Sequence, residues 1–176
     1  MVIWLIGLSG SGKTTVGKEV FRIWKKKSPQ TIFLDGDEVR EIFSNENYSR
    51  DYTLKGRRLN AERISRLCLW LDNYNINIVA SVLSVFPDMQ DWNRKNFKKY
   101  FQVFLDVPMN ILVKRDTKNL YKEALSGKIK NVVGVDIDFP KPKNSNLILT
   151  PEKSQMSVDF CVKEILKKSG IIDENK

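Results

Sequence analysis

A glycine-rich segment near the amino terminus constrains the fold of this chain more than any other feature. The segment reads Gly7-Leu8-Ser9-Gly10-Ser11-Gly12-Lys13-Thr14 and fits the pattern G-x-x-x-x-G-K-[ST]. It directly follows an apolar run, Val2 to Ile6, and precedes a stretch with helical spacing that begins near Lys13. This order predicts a buried strand, then a phosphate-binding loop, then a helix whose amino terminus points at an anion.

The residue types in this loop suit a nucleoside triphosphate. Glycines let the backbone wrap closely around phosphate, and successive N–H groups point at its oxygens. The Lys13 ammonium would bridge the terminal phosphates, and the Thr14 hydroxyl would reach Mg²⁺. A glycine turn without a ligand is the alternative, and the strand and helix on either side of the loop disfavour it.

Short apolar runs recur along the chain at intervals too wide for hairpins. They are Val2 to Ile6, Ile32 to Leu34, Ile76 to Ala80, Val103 to Leu105 and Leu147 to Leu149. Segments with helical spacing lie between them, for example around Leu59, Ile64 and Cys68. Strand-helix alternation predicts an α/β fold, a mainly parallel sheet of about five strands with helices on both faces. We expect a single domain over residues 1–176, with Ser126 to Asn146 as a long loop.

The amino-acid composition limits which partners and which catalytic groups this chain can use. The chain has 30 Lys and Arg against 21 Asp and Glu, a formal charge of +9, so an anionic partner is expected. It contains no His, which excludes a His general base and any His-containing metal site. A carboxylate is therefore the expected proton acceptor.

Cysteine usage and hydropathy indicate the compartment. Cys68 and Cys161 lie far apart with no CxxC pattern, so we expect two reduced, buried thiols and neither a disulfide framework nor a zinc site. The apolar start, Met1 to Ile6, is too short for a signal segment. No apolar run approaches the ~20 residues that cross a bilayer. These features predict a cytoplasmic protein without membrane contact.

Two carboxylates follow the second predicted strand, in Asp35-Gly36-Asp37. They would emerge at the carboxyl edge of the sheet, where the phosphate loop also lies. Asp35 is our candidate for accepting the proton of an attacking hydroxyl or for organising the waters of Mg²⁺, and Asp37 would face the acceptor. An Asp-Gly turn with a helix N-cap explains the same residues equally well.

Basic and amide side chains near these carboxylates suit a second anion. Arg40 follows on the next turn, and Arg57, Asn60 and Arg63 stand three residues apart on one predicted helix face. Later come Arg115-Asp116-Thr117-Lys118-Asn119-Leu120-Tyr121 and Gly127-Lys128-Ile129-Lys130, both candidate cationic flaps over phosphates.

Together and in this order, these motifs resemble the adenylylsulfate kinase family, P-loop kinases that phosphorylate the ribose 3′-hydroxyl of adenylyl sulfate. The resemblance runs from about Val2 to Leu149 and includes GLSGSGKTT, LDGD followed by Arg40, VFLDVP, RDxKxLY from Arg115 and GxIK ending at Lys130. It implies a P-loop kinase fold, ATP as phosphoryl donor with Mg²⁺, and transfer to a ribose hydroxyl. Homodimers are usual in the family, so the resemblance adds a homodimer as an expectation.

The resemblance also implies roles for single residues. ATP and its phosphates would contact Gly7, Ser9, Gly10, Ser11, Gly12, Lys13, Thr14, Thr15 and Arg115. Asp35 would be the catalytic carboxylate beside Lys13, and Mg²⁺ would be held by Thr14 and, through water, by Asp35. Substrate contacts would come from Asp37, Arg40, Tyr52, Arg57, Asn60, Leu83, Ser84 and Lys130.

The chain departs from the family pattern on the substrate side. Where the family reads Ser-Pro-Tyr, this chain reads Ser84-Val85-Phe86-Pro87. Where it reads Phe-Thr-Gly-Ile-Asp, this chain reads Val132-Val133-Gly134-Val135-Asp136. Two aromatic rings sandwich the substrate adenine in the family; Tyr52 matches one, and Val132 replaces the other. Loss of a stacking ring costs roughly 1–3 kcal/mol per base, which disfavours adenine.

A smaller pyrimidine base is the natural replacement, on a nucleotide with a substituted 5′-phosphate. The pattern most resembles the cytidine diphosphoramidate kinase branch, which serves capsular polysaccharide phosphoramidate synthesis. Adenylyl sulfate stays open as the alternative substrate, because Phe86 or Phe139 can supply the missing ring.

Two functions of other classes also stay open. The charge of +9 and four tryptophans would suit a nucleic-acid-binding or polynucleotide kinase protein, but no recognition module is visible. A catalytically inactive nucleotide-binding regulator is disfavoured by the intact loop together with Asp35 and Asp37. We therefore expect a small nucleotide as the partner, and no nucleic acid.

Overall fold

The computed structural model describes residues 1–44, 51–116, 119–151 and 157–172. Its strands form one five-stranded sheet in the order β2-β3-β1-β4-β5. Their bounds are β1 (Val2–Ile6), β2 (Thr31–Asp35), β3 (Asn77–Val82), β4 (Tyr100–Leu105) and β5 (Leu147–Leu149). Every neighbouring pair is parallel, which confirms the predicted α/β fold with a parallel sheet. The strand predicted at Val103 begins earlier, at Tyr100.

Helices connect the strands on both faces. Within the described residues they are α1 (Lys13–Lys27), α2 (Gly36–Ile42), α3 (Leu54–Asn73), α4 (Pro87–Asn96), α5 (Met109–Arg115), α6 (Leu120–Leu125) and α7 (Val158–Lys168). Local chemistry sets their starts: the Thr53 hydroxyl accepts from Gly56 N at the start of α3, and Ser157 accepts from Phe160 N at the start of α7. Basic residues fill the last turn of α1, where they complement the helix dipole.

The sheet separates two apolar cores, and β1 contributes to both because its side chains alternate. Ile3 and Leu5 pack in one core with residues of α1 and α7. Val2, Trp4 and Ile6 pack in the other with residues of α2, α3 and β3. Every residue of β1 is buried, so the strand that leads into the phosphate loop is held on both faces.

Parallel strands bring their carboxyl ends to one edge of the sheet. The segments that follow β1, β2, β3 and β4 therefore meet there, and they carry the motifs singled out in the sequence. The predicted long loop, residues 126–146, contains no helix or strand apart from an isolated bridge between Val133 and Ile137. Its end is fixed to β4, because Gln102 N donates to Asn146 Oδ1 at 2.9 Å and Gln102 Nε2 to Ser145 Oγ at 3.0 Å.

The structure also bears on the predictions about membrane contact and the cysteines. Among the described residues, no helix is long and apolar enough to cross a membrane. Cys68 and Cys161 are free and buried, as predicted.

Candidate active site

The glycine-rich segment forms a tight loop between β1 and α1. Ser11 N donates to Leu8 O at 3.2 Å, and the Lys13 ammonium donates to the same carbonyl at 2.8 Å. Gly12 has φ 94°, a conformation in which any side chain is strained. A Cβ on Gly7 would lie 2.6 Å from Ser11 Oγ and 2.9 Å from Leu105 O. The loop thus has the closely wrapped backbone that phosphate binding needs.

Lys13 is the cation of this loop, and burial perturbs it. Desolvation lowers the pKa of Lys13 to about 8, and the charges of Asp37 and Asp35 oppose that shift. A polyanion placed against the loop would restore the ammonium form, since opposite charge favours ionisation. Binding of phosphate would therefore favour the charged form of Lys13, and the charged form would in turn favour phosphate.

Asp35 is the N-cap of α2, one of the two interpretations that the sequence left open, and it also lies beside the phosphate loop. One carboxylate oxygen, Oδ1, accepts from Asp37 N at 2.9 Å and caps α2. The other, Oδ2, accepts from Thr14 Oγ1 at 2.8 Å, which joins the end of β2 to the start of α1. The N-cap thus holds the carboxylate of Asp35 next to the phosphate loop.

The Thr14–Asp35 pair also tests whether Mg²⁺ fits. A hydroxyl and a carboxylate oxygen at 2.8 Å are hard oxygen donors of the kind Mg²⁺ prefers. Within the described residues, no group of three or more His, Cys, Asp or Glu could hold a metal ion. The fit to Mg²⁺ rests on the two oxygens of Thr14 and Asp35, since Mg²⁺ is commonly bound through one or two protein ligands.

The acceptor side carries two neighbouring guanidinium groups on one ring. Arg40 and Arg57 lie 4.9 Å and 5.5 Å from the ring centroid of Tyr52. Arg40 donates to Asp51 O at 2.6 Å, and Arg57 donates to Asn131 O at 2.7 Å. Burial, and then the charge of Arg40, lowers the pKa of Arg57. An anion bound between Arg40 and Arg57 would relieve the repulsion between their two positive charges.

One cavity of about 570 Å³ joins the phosphate side to the acceptor side. Its walls include most of the sequence-predicted site residues: Ser9, Gly10, Gly12, Lys13, Thr14, Thr15, Asp35, Asp37, Arg40, Arg57, Asn60, Leu83, Ser84 and Arg115. Four others lie outside the lining. Gly7 and Ser11 belong to the phosphate loop, the ring of Tyr52 lies against Arg40 and Arg57, and Lys130 is exposed.

Arg63 does not share the cavity with Arg57 and Asn60. Its guanidinium lies 4.9 Å from the ring centroid of Phe43 instead. A 3.6-residue helical period rotates a residue six positions after Arg57 away from the cavity, which the i, i+3 spacing alone did not reveal. The predicted three-residue face therefore contributes two cavity residues.

Several cavity residues were not among the predicted contacts, although one of them, Tyr121, ends the candidate flap that begins at Arg115. Tyr121, on α6, lines the cavity and donates its hydroxyl to Ser9 O at 2.8 Å, which ties α6 to the phosphate loop. Trp4, Ser65 and Met89 also line it. They come from elements with an apolar spacing, so nothing local distinguished them from ordinary core residues.

Val132 does not face the cavity. Its side chain is buried in a cluster with Leu112 and Tyr121. A phenylalanine at this position would test core packing rather than base stacking. Phe86, by contrast, lines the cavity, and Arg58 lies 5.2 Å from its ring centroid. Of the two rings named as replacements, Phe86 therefore lines the cavity, while Phe139 packs on Phe104.

The sequence of this chain is similar to those of known kinases. The family model described as adenylylsulphate kinase matches residues 1–150. The cytidine diphosphoramidate kinase of Campylobacter jejuni is 37% identical over 170 residues, which cover 97% of this chain and 96% of that protein. The adenylyl-sulfate kinase of Clostridium kluyveri is 33% identical over 167 residues, 94% of this chain and 81% of that protein.

A solved structure shares the fold over nearly the whole chain. The Mycobacterium tuberculosis APS kinase CysC, in complex with AMPPNP and APS, aligns with a TM-score of 0.81 at 30% identity and covers 95% of both chains. The similarity therefore spans the phosphate side and the acceptor side alike.

Proposed function

The chain belongs to the adenylylsulphate kinase family, and from that membership we propose that it transfers the γ-phosphoryl group of ATP to the ribose 3′-hydroxyl of a small nucleotide with a substituted 5′-phosphate. It is a phosphotransferase, as its relatives are named kinases. The observation that carries the proposal is the single cavity that has Lys13 and Asp35 on one side and Arg40 and Arg57 on the other.

The donor side supplies charge and position. Backbone N–H groups of the loop and the Lys13 ammonium hold the terminal phosphates of ATP. Arg115, exposed on the cavity wall at the end of α5, adds positive charge over the transferred group. Thr14 and Asp35 would hold Mg²⁺, which would supply positive charge to the phosphates of ATP.

The acceptor side positions the nucleophile. Asp35 accepts the hydrogen bond of the 3′-hydroxyl and takes its proton as the bond from O3′ to the γ-phosphorus forms. The bond between the γ-phosphorus and the bridging oxygen breaks, and ADP leaves with that oxygen. Arg40 and Arg57 bind the 5′-phosphate group, which fixes the ribose in the cavity.

For the substrate we favour cytidine 5′-diphosphoramidate. The Campylobacter jejuni relative of that name is 37% identical over nearly the full length of both chains, compared with 33% for the Clostridium kluyveri adenylyl-sulfate kinase. Adenylyl sulfate is the second candidate, supported by Phe86 in the cavity and by the similarity to the APS kinase CysC structure. The first substrate would place the enzyme in capsular polysaccharide phosphoramidate synthesis, and the second in sulfate activation.

An ADP-release assay with Mg-ATP decides between the two acceptors. Cytidine diphosphoramidate and adenylyl sulfate are compared by kcat/KM under the same conditions. We expect a higher value for the cytidine compound. The reverse order would assign the enzyme to sulfate activation, and no turnover with either acceptor would contradict the proposed function and favour a nucleotide-binding regulator.

We also propose the compartment in which the protein acts, its domain organisation and its oligomeric state. Residues 1–176 act as one kinase domain in the cytoplasm, where the buried thiols of Cys68 and Cys161 stay reduced. A homodimer is proposed from family membership, and light scattering across a concentration series would test it. Nucleic acid is not the partner we propose, and the absence of any salt-dependent shift with single-stranded oligonucleotides would agree with that.

A further inference from the structure

The segment between β3 and α4 forms part of the cavity wall, and one of its residues has a strained backbone. Leu83, Ser84, Val85 and Phe86 all line the cavity, and we call them the acceptor wall. Ser84 has φ 56°, in the left-handed region that a residue with a side chain adopts only at an energetic cost. Such a conformation persists only where the surrounding structure holds it, and strain of this kind is concentrated at functional sites.

Contacts with α3 place the acceptor wall beside the arginines of the acceptor side. The Arg58 guanidinium lies 5.2 Å from the ring centroid of Phe86 and donates to Asp88 Oδ1 at 2.9 Å. Arg57, which lines the cavity, immediately precedes Arg58 on α3. The acceptor wall therefore borders the part of the cavity in which the second anion is expected.

A buried amide on α4 holds the strained residue. Gln90 is 5% exposed, and its Nε2 donates to Ser84 O at 3.0 Å. The backbone N–H groups of Met89 and Gln90 donate to Phe86 O at 3.2 Å and 3.3 Å. The first turn of α4 thus holds the acceptor wall at two carbonyls, and the bond to Ser84 depends on the side chain of Gln90.

A second buried amide, on β4, supports the first. Gln102 is 0% exposed, and its Nε2 donates to Gln90 Oε1 at 3.4 Å and to Ser145 Oγ at 3.0 Å. Its Oε1 accepts from Tyr100 Oη at 2.9 Å and from Arg94 Nη2 at 3.3 Å. These four bonds use the main capacity of the amide, and exchanging its N and O would set a donor against the Arg94 donor. The orientation of Gln102 is therefore fixed by its neighbours.

The long loop, whose end is bonded to this second amide, also packs against the acceptor wall. Val133 and Ile137 of the loop form a buried cluster with Val85. Asn131 O of the loop accepts from Arg57 at 2.7 Å. The amide on β4 thus joins two segments that both border the acceptor side, one through α4 and the other through the end of the loop.

On the basis of the function proposed above, we propose that Gln90 and Gln102, which we call the amide pair, are positioning residues for the acceptor nucleotide. Neither is among the residues that line the cavity, so both act through other groups. They hold Ser84 in its strained conformation and join the acceptor wall to the long loop. The nucleotide therefore meets a surface that is already ordered, which lowers the cost of binding it in a reactive position.

The donor side of the cavity is held by other bonds. Thr14 Oγ1 donates to Asp35 Oδ2 at 2.8 Å, and Tyr121 Oη donates to Ser9 O at 2.8 Å. The amide pair takes no part in these two bonds. Its loss should therefore raise KM for the acceptor and leave KM for ATP unchanged.

Gln90→Met tests this expectation, because methionine is close to glutamine in size but donates no hydrogen bond to Ser84 O. The assay uses Mg-ATP and whichever of the two acceptors the wild-type enzyme prefers. We expect KM for the acceptor to rise roughly three- to tenfold, the effect of one lost buried hydrogen bond, with KM for ATP unchanged. Gln102→Met should act in the same direction. The double variant should show less than the product of the two fold-changes, since the two amides act as one unit.

Hydrogen exchange of the nucleotide-free protein measures the same role without turnover. Peptides spanning residues 83–90 should exchange roughly three- to tenfold faster in Gln90→Met than in the wild-type protein, because one bond that opposes local opening is gone.

Thr31→Val is the matched control for a loss of stability. Thr31 is 1% exposed, and its Oγ1 donates to Ser28 O at 2.6 Å, at the amino end of β2 and away from the cavity. Valine has the same shape and removes one buried side-chain bond to a backbone carbonyl, as Gln90→Met does. It should lower the midpoint of urea denaturation and leave both KM values and the exchange of residues 83–90 unchanged.

Three outcomes would overturn the assignment of the amide pair. They are the lack of a selective rise in the acceptor KM of Gln90→Met, unchanged exchange of residues 83–90 in that variant, or the same pattern in Thr31→Val. If the wild-type protein phosphorylates neither acceptor, the proposed function fails. The exchange of residues 83–90 then decides by itself whether the amide pair holds the acceptor wall.

Discussion

At the scale of single residues, the chemistry of Lys13 depends on its burial. Its pKa of about 8 in the free protein is set by desolvation, and bound phosphates favour the charged form. Below that pH the lysine is already protonated, so nucleotide binding requires no proton. Above it, binding must take up a proton, and the Kd for ADP should rise by up to about tenfold per pH unit.

Calorimetry at about pH 7 and about pH 9, in two buffers of different ionisation enthalpy, measures this proton uptake. We expect uptake at the higher pH and little at the lower. Lys13→Met should bind ADP more weakly and lose the pH-dependent uptake. A pH-independent Kd in the wild-type protein would contradict the perturbed lysine.

Asp35 combines a structural and a chemical role, and two substitutions separate them. Asp35→Asn keeps an oxygen that can accept from Asp37 N, so the cap of α2 should survive while proton acceptance is lost. Asp35→Ala loses both, with about 1 kcal/mol less stability from the cap.

We expect both Asp35 variants to bind ATP and to lose at least roughly a hundredfold in kcat. Chemical denaturation should show a smaller stability loss for Asp35→Asn than for Asp35→Ala. A wild-type-like kcat in either variant would remove Asp35 from the catalytic machinery.

At the scale of elements, the packing of α1 on the sheet outweighs helix propensity. Gly17 lies inside α1, where alanine would ordinarily stabilise a helix by about 1 kcal/mol. A Cβ there would lie 2.7 Å from Ser81 Oγ and 2.8 Å from both Leu5 Cδ1 and Phe33 Cε2. Overpacking of a core costs typically 1–3 kcal/mol, so the net effect should be a loss of stability.

Urea denaturation of Gly17→Ala should therefore give a midpoint below that of the wild-type protein. Gly36→Ala is the matched control, because its nearest neighbour would be Val82 Cγ1 at 3.3 Å, a contact that small adjustments relieve. We expect a smaller change for the control. A stabilised Gly17→Ala would show that α1 can move away from the sheet at low cost.

At the scale of the whole molecule, the two thiols report on global opening. Cys68 and Cys161 are 0% and 1% exposed, on opposite faces of the sheet, and burial raises the pKa of both. A thiol reagent should react with them only when the fold opens, so both should label at one common slow rate. ADP at about 100 times its Kd should reduce the open population by roughly a hundredfold, and labelling should slow accordingly.

Mass spectrometry of labelled protein measures both rates. Trp70→Cys places a thiol at a position that is 57% exposed and should label rapidly in the folded state. Fast labelling of Cys68 or Cys161 in the native protein would reveal a local opening that the packing does not suggest.

The sequence by itself determined the parts of this protein whose information is local. The loop from Gly7 to Thr14 and the carboxylate of Asp35 belong to motifs of neighbouring residues, and the parallel sheet follows from short apolar runs separated by helical segments. Strand ends were less accurate, as at Tyr100, because Gln102 interrupts the apolar residues of β4.

Only the tertiary structure decided which distant side chains share the cavity. Trp4, Ser65 and Phe86 come from β1, α3 and the segment before α4, and Val132 is buried in a cluster rather than lining the cavity. The direction of a side chain depends on what packs against its element, and that contact is set by strand order across the whole sheet. A motif fixes the chemistry at neighbouring positions, but the hydrogen bonds of Gln102 to Gln90 and Ser145 join segments that meet only when the chain is folded.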